Sequence, residues 1–231
     1  MQSLIPFLCL GLTATTILAK KPGVTAGHPT CKIPTVLVLG DSLSAGYGLP
    51  RADAYPALLS AKAAALGQPV HILNAGVSGD TSSGGLRRLP RLLERPIDVL
   101  IVELGINDLF RGVPIGEIEA NLQKIIDLTR ARYPQVRVIV AGMQKPQTSV
   151  DDSLSSFALM YGDLARRNSA ELVPFLLEGV AGNPAFNLPD LIHPNARGQE
   201  ILAANVWPAL ERVLSEGDAS GMHSDAARRA K

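Results

Sequence analysis

The chain has 231 residues, 46% of them hydrophobic, and its 22 basic and 21 acidic side chains leave a net charge of +1. That composition supplies one substantial core, and the length does not call for a second domain. Near-neutral charge, no basic stripe and only 4% aromatics argue against nucleic acid as a partner. Two cysteines and no Cys/His cluster of zinc spacing argue against a metal centre.

In chain order, residues 1–26 read as an export signal. The first nineteen carry no charged side chain, and Leu4 to Leu18 is mostly apolar before Lys20-Lys21. This run is shorter than the roughly 20 apolar residues a spanning helix needs, and Pro6 and Gly11 interrupt it. An uncleaved membrane anchor is the alternative. Val24-Thr25-Ala26, or a site ending at Ala19, offers the small residues for cleavage, and residues 27–33 read as a linker.

Residues 34–214 alternate short apolar runs with longer amphipathic ones. The strand candidates are Thr35 to Leu39, Val70 to Asn74, Val99 to Leu104, Val136 to Ala141 and Glu171 to Pro174. Helices are expected over Ala54 to Leu66, around Ile118, Leu122, Ile125 and Ile126, over Asp151 to Arg167, and over Ala196 to Leu214. Strands separated by helices specify parallel pairing with right-handed crossovers. The expected fold is therefore a three-layer α/β/α sandwich around a five-stranded parallel sheet. Residues 215–231 are polar and without periodicity, and read as a disordered tail.

Parallel sheets collect ligands beyond the carboxyl ends of their strands. Ser42 stands at such an end, in Gly40-Asp41-Ser42-Leu43, and is a candidate nucleophile. The Gly-rich turn around it lacks the Gly-Lys-Ser/Thr ending and the Gly-x-Gly-x-x-Gly spacing of nucleotide-binding loops. A hydroxyl needs a base, a group that orients the base, and donors for the oxyanion. Of the four histidines, His28 lies in the linker, His223 in the tail, and His71 opens a strand with no acid nearby. His193 lies in Asp190-Leu191-Ile192-His193-Pro194-Asn195 at the start of the last helix, where Asp190 can orient the imidazole. A capping acid beside a surface histidine is the competing interpretation of that pair. Gly79, after the second strand, and Asn107, after the third, are candidate oxyanion donors, although ordinary βα turns use the same residue types. Asp41 and Asp80 read as turn or capping residues, Asp108 as a loop brace, and Glu103 as a buried acid that requires a basic or hydrogen-bond partner.

Gly40-Asp41-Ser42-Leu43, Gly79 after Val77-Ser78, Gly105-Ile106-Asn107-Asp108 and Asp190-Leu191-Ile192-His193 together resemble the four signature blocks of the GDSL or SGNH hydrolases. The likeness runs from about Pro34 to Leu214. It is strongest to the bacterial branch with acyl-CoA thioesterase I, lysophospholipase and arylesterase activities. The resemblance implies a flavodoxin-like fold, a Ser42–Asp190–His193 triad and an oxyanion hole of Ser42 N–H, Gly79 N–H and the Asn107 side chain. It further implies hydrolysis of a small-molecule ester or thioester through an acyl-enzyme, no cofactor, and a periplasmic or secreted location. A carbohydrate O-acetylesterase on the same triad is the enzymatic alternative, and a non-catalytic acyl or lipid carrier the non-enzymatic one. Two departures bear on specificity. Leu191 stands where relatives usually have glycine, and Lys145 to Val150 lacks the branch's Asn-aromatic-Gly continuation.

Overall fold

The computed structural model describes residues 32–144 and 152–229. The expected signal, most of the linker and the Lys145–Val150 loop lie outside the described residues.

Five parallel strands form one sheet: β1 (Thr35–Gly40), β2 (His71–Asn74), β3 (Val99–Glu103), β4 (Arg137–Ala141) and β5 (Glu171–Val173). Their order is β2-β1-β3-β4-β5. Each strand candidate became a strand, with ends moved by a residue or so. The chain steps from β1 outward to β2, then returns across β1 to β3 and continues the other way. Right-handed crossovers place a helix on one face for the outward step and on the opposite face for the return. Accordingly α2 (Tyr55–Ala65) packs with the last helix, α7 (Ala196–Arg229), while α3 (Ser82–Leu92), α5 (Ile115–Arg132) and α6 (Asp152–Arg167) pack in series. The reversal lies between β1 and β3, the point at which open α/β sheets place their ligand sites.

The core follows from the sequence pattern. Val36 to Leu39 of β1 and Val99 to Ile101 of β3 are fully buried, as a sheet covered on both faces requires. Ile118, Leu122, Ile125 and Ile126 turn one face of α5 to the sheet, and Leu202, Val206 and Leu210 do so for α7.

Three short or unanticipated helices complete the domain. α1 (Ser42–Ala45) and α4 (Ile106–Phe110) follow β1 and β3 directly. α3 begins with Ser-Ser-Gly-Gly and contains Pro90, a composition that hides its helical character; the Thr81 hydroxyl caps it by accepting from Gly84 N–H at 3.1 Å. The last helix is longer than its expected Leu214 end, its backbone running helical as far as Arg229. Residues 215–229 contain no proline, so nothing interrupts the hydrogen-bond ladder that α7 has already started.

Candidate active site

Gly40 ends β1 opposite Glu103 of β3, and its missing side chain makes the site possible. A Cβ there would lie 2.1 Å from Ser44 Oγ and 2.5 Å from Glu103 Oε2. With that space open, the chain turns at Asp41 into α1, and Ser42 becomes the first helical residue, 8% exposed. Its N–H is among the first-turn groups that an α-helix leaves without an internal acceptor. Asp41 caps this helix, its Oδ1 accepting from Leu43 N–H at 2.9 Å.

His193 approaches from the far end of the sequence. Its Nε2 lies 3.1 Å from Ser42 Oγ, and its Nδ1 lies 2.7 Å from Asp190 Oδ2. Asp190 Oδ1 accepts the backbone N–H groups of His193 and Ile192, both at 3.0 Å. The His193 N–H, then the imidazole contact and the Ile192 N–H, hold the Asp190 carboxyl down at about 2. The Tyr47 ring packs against the imidazole with centroids 4.3 Å apart.

The segment carrying this pair is fixed by its backbone. Leu188 N–H donates to His193 O at 2.7 Å, Asn195 N–H donates to Phe186 O at 2.9 Å, and Asn187 bridges Pro194 in antiparallel fashion. Asn195 Oδ1 then accepts from Gly198 N–H at the start of α7. One turn on, the buried Gln199 donates to Leu43 O at 3.2 Å and accepts from Tyr55 N–H at 2.8 Å, tying the His193 helix to the Ser42 turn. Gln199 carried no signal in the sequence, because it looks like any polar residue of an amphipathic helix.

The other two candidate residues come from the ends of β2 and β3. Val77 N–H donates to Gly40 O at 3.1 Å, bringing the loop after β2 against the end of β1. Gly79 has φ +75°, a left-handed conformation natural to glycine, and its carbonyl accepts from Arg111 Nη2 at 2.9 Å. Arg88 of α3 braces the same turn, pairing with Asp80 at 2.7 Å and donating to Gly40 O at 2.9 Å. Asn107 lies in the first turn of α4, its Nδ2 donating to Asp41 Oδ2 at 2.8 Å.

Asp108 braces as expected, accepting Ser82 N–H at 2.7 Å and Ser82 Oγ–H at 2.6 Å. Glu103 has hydrogen-bond donors instead of a cation: Asp41 N–H at 3.1 Å and the Ser44 hydroxyl at 2.6 Å. Burial pushes Glu103 well above the usual carboxylate range, and it pushes Asp41 up to about 6.

A serine hydroxyl backed by an imidazole and a carboxylate, at the carboxyl ends of the strands, is the arrangement of a serine hydrolase. A model of the GDSL-like Lipase/Acylhydrolase family matches residues 38–201. The chain belongs to this family. It resembles Esterase TesA of Pseudomonas aeruginosa, with 40% identity over 182 residues covering 78% of this chain and 89% of the relative. Thioesterase 1/protease 1/lysophospholipase L1 of Escherichia coli is 37% identical over 171 residues, covering 73% of this chain and 79% of that protein. A crystal structure of TesA aligns with a TM-score of 0.74 at 39% identity, covering 78% of this chain and 99% of that one. As a member of the family the protein is a serine esterase.

Proposed function

We propose that Ser42 is the acyl-accepting nucleophile, His193 its general base and Asp190 the group that orients the base. The observation that carries this is the relay from Asp190 Oδ2 to His193 Nδ1 at 2.7 Å and from His193 Nε2 to Ser42 Oγ at 3.1 Å. His193 takes the serine proton as Oγ attacks the carbonyl carbon, then returns it to the departing alcohol or thiol. Water repeats the cycle on the acyl-enzyme. Ser42 N–H, Gly79 N–H and Asn107 Nδ2 are the proposed donors to the oxyanion, and removing one such donor typically costs about 10² to 10³ in turnover.

The surroundings favour an ester with an apolar acyl or aryl part. Tyr47, Val77, Phe110, Leu191 and Ile192 are all large hydrophobic side chains left exposed, and each lies within a few residues of a proposed catalytic group. TesA, the arylesterase of Vibrio mimicus and the thioesterase/lysophospholipase of Escherichia coli bear names of ester and thioester chemistry, which agrees with this preference. We further propose that residues 1–26 direct export; among the described residues no helix is long and apolar enough to cross a membrane.

The deciding experiment measures p-nitrophenyl esters of increasing chain length and acyl-CoA with the native enzyme and with Ser42→Ala. Turnover should fall by about 10⁴ or more in the variant, and kcat/KM of the native enzyme should rise from acetate toward longer chains. Full activity in Ser42→Ala would remove the nucleophile assignment.

A further inference from the structure

Where the loop after β2 passes the end of β1, three segments of backbone and side chain converge on one guanidinium. Arg88 of α3 donates from Nε to Asp80 Oδ2 at 2.7 Å, from Nη1 to Ala75 O, and from Nη2 to Gly40 O at 2.9 Å. Gly40 O also accepts from Val77 N–H at 3.1 Å. Arg88 therefore holds both ends of the short stretch that carries Gly79, and ties them to the backbone two residues before Ser42. Its own helix makes room for this clamp, since a Cβ on Gly84 would lie 1.8 Å from Asp80 Oδ1.

Between the two ends lies a turn whose type decides what it offers a substrate. Asp80 N–H donates to Val77 O at 3.0 Å and closes the turn. Gly79 at the second corner has φ +75°, whereas Ser78 at the first corner is not among the described residues with positive φ. That combination is a type II turn, and its central peptide carries the Gly79 N–H. Rotating this one peptide gives a type I turn, with the second corner at φ of about −90° and the Ser78 carbonyl where the N–H had been. Residues other than glycine prefer that form. A Cβ on Gly79 would meet nothing closer than Arg111 Nη2 at 3.7 Å, so conformation and not space calls for glycine here.

Gly79 sets the direction of its N–H, but an oxyanion donor must also stand within about 2.7–3.1 Å of the oxygen it serves. Resting on the proposed oxyanion hole, we propose that Arg88 is a positioning residue that acts through Gly79, fixing the turn against the end of β1 so that its central N–H reaches the same oxygen as the N–H of Ser42. A guanidinium suits this task because its planar fork meets acceptors on three segments at once. A lysine ammonium is a point charge on a flexible stem and does not reproduce the fork.

The test is a double-mutant cycle, with kcat and KM measured on p-nitrophenyl butyrate for Arg88→Ala, Arg88→Lys, Gly79→Ala and the Arg88→Ala/Gly79→Ala pair. Gly79→Ala keeps the N–H but disfavours the turn that aims it. Arg88→Ala should lower kcat about 10- to 100-fold with KM nearly unchanged, Arg88→Lys should recover little of the loss, and the pair should be no slower than the slower single variant. Losses that multiply, native turnover in Arg88→Lys, or a rise in KM that matches the fall in kcat would each overturn the assignment. A harmless Arg88→Ala beside a damaged Gly79→Ala strikes this proposal alone; a harmless Gly79→Ala removes Gly79 from the oxyanion hole, and the role of Arg88 with it. Should Arg88→Ala not fold, Asp80→Asn takes its place in the cycle with the same expected non-additivity, since it removes the charge from one arm of the clamp and keeps its shape.

Discussion

Asp190 and Leu191 share one turn and face opposite physical demands. Asp190 accepts three hydrogen bonds from Ile192 and His193, and the resulting depression of its pKa to about 2 is linked to stability. An acid lowered on folding contributes stability above its unfolded pKa of about 3.9, and that contribution is lost as pH falls through about 2. Urea titrations of Asp190→Asn should therefore show a shallower fall in stability between pH 4 and 2 than the native protein shows. Activity of the same variant should drop by about 10² to 10⁴, because an amide cannot hold the imidazole tautomer that leaves Nε2 free to accept. Leu191 has φ +57°, a left-handed conformation that costs a non-glycine residue about 1–2 kcal/mol. Part of that cost returns as lost chain entropy if glycine replaces it, so Leu191→Gly should gain about 0.5–1 kcal/mol by chemical denaturation. Leu191→Val should lose stability, since a β-branched side chain fits this region worse. Equal stabilities for the three proteins would show that the loop absorbs the strain. A glycine would meet this backbone demand without strain, and the leucine here overrides it.

At the scale of elements, the site depends on how two helices are tied together. His193 precedes α7 and Ser42 opens α1, more than a hundred residues apart, and Gln199 joins them through Leu43 O and Tyr55 N–H. Truncating Gln199 leaves a buried donor and a buried acceptor without partners, a penalty of about 1–3 kcal/mol each before relaxation. Gln199→Ala should accordingly lose about 2–4 kcal/mol in a denaturant titration, and kcat should fall further than KM rises as the Ser42–His193 distance loosens. A variant with native stability would assign the alignment to the antiparallel bridge at Asn187 and Pro194 alone. Little of this was legible beforehand: Ser42 and the Asp-x-x-His pair announce themselves by residue type at element ends, whereas Gln199, Arg88 and Tyr47 do their work through contacts that no local pattern encodes. Apolar periodicity stops at Leu214, so no signal in the sequence marked the helical turns that follow it.

Across the whole molecule, the proposed catalytic groups gather at one end of the sheet, and exposed apolar side chains lie near them in the chain. Tyr47 follows α1, Val77 follows β2, Phe110 ends α4, and Leu191 and Ile192 precede α7, so four separate segments contribute exposed apolar side chains close in the chain to proposed catalytic residues. Replacing Phe110 and Ile192 together by asparagine should raise KM about tenfold for a long-chain p-nitrophenyl ester and leave the acetate ester nearly unaffected. Equal effects on both esters would mean that these side chains do not contact the acyl chain. Most of the architecture is local information: buried strands read as continuous apolar runs, helices as 3.6-residue stripes, and right-handed crossovers leave few ways to arrange them.

The sequence by itself therefore determined the parallel α/β sheet, the serine at a strand end and the acid–histidine pair before the last helix, because element periodicity and the chemistry of residue types are properties of short stretches. Only the tertiary structure decided that His193 Nε2 comes within 3.1 Å of Ser42 Oγ, that Asp41 reaches Asn107, and that Glu103 is buried without a cation. Those facts depend on the β1–β3 reversal and on helix packing, which bring distant segments together at distances that spacing along the chain does not specify.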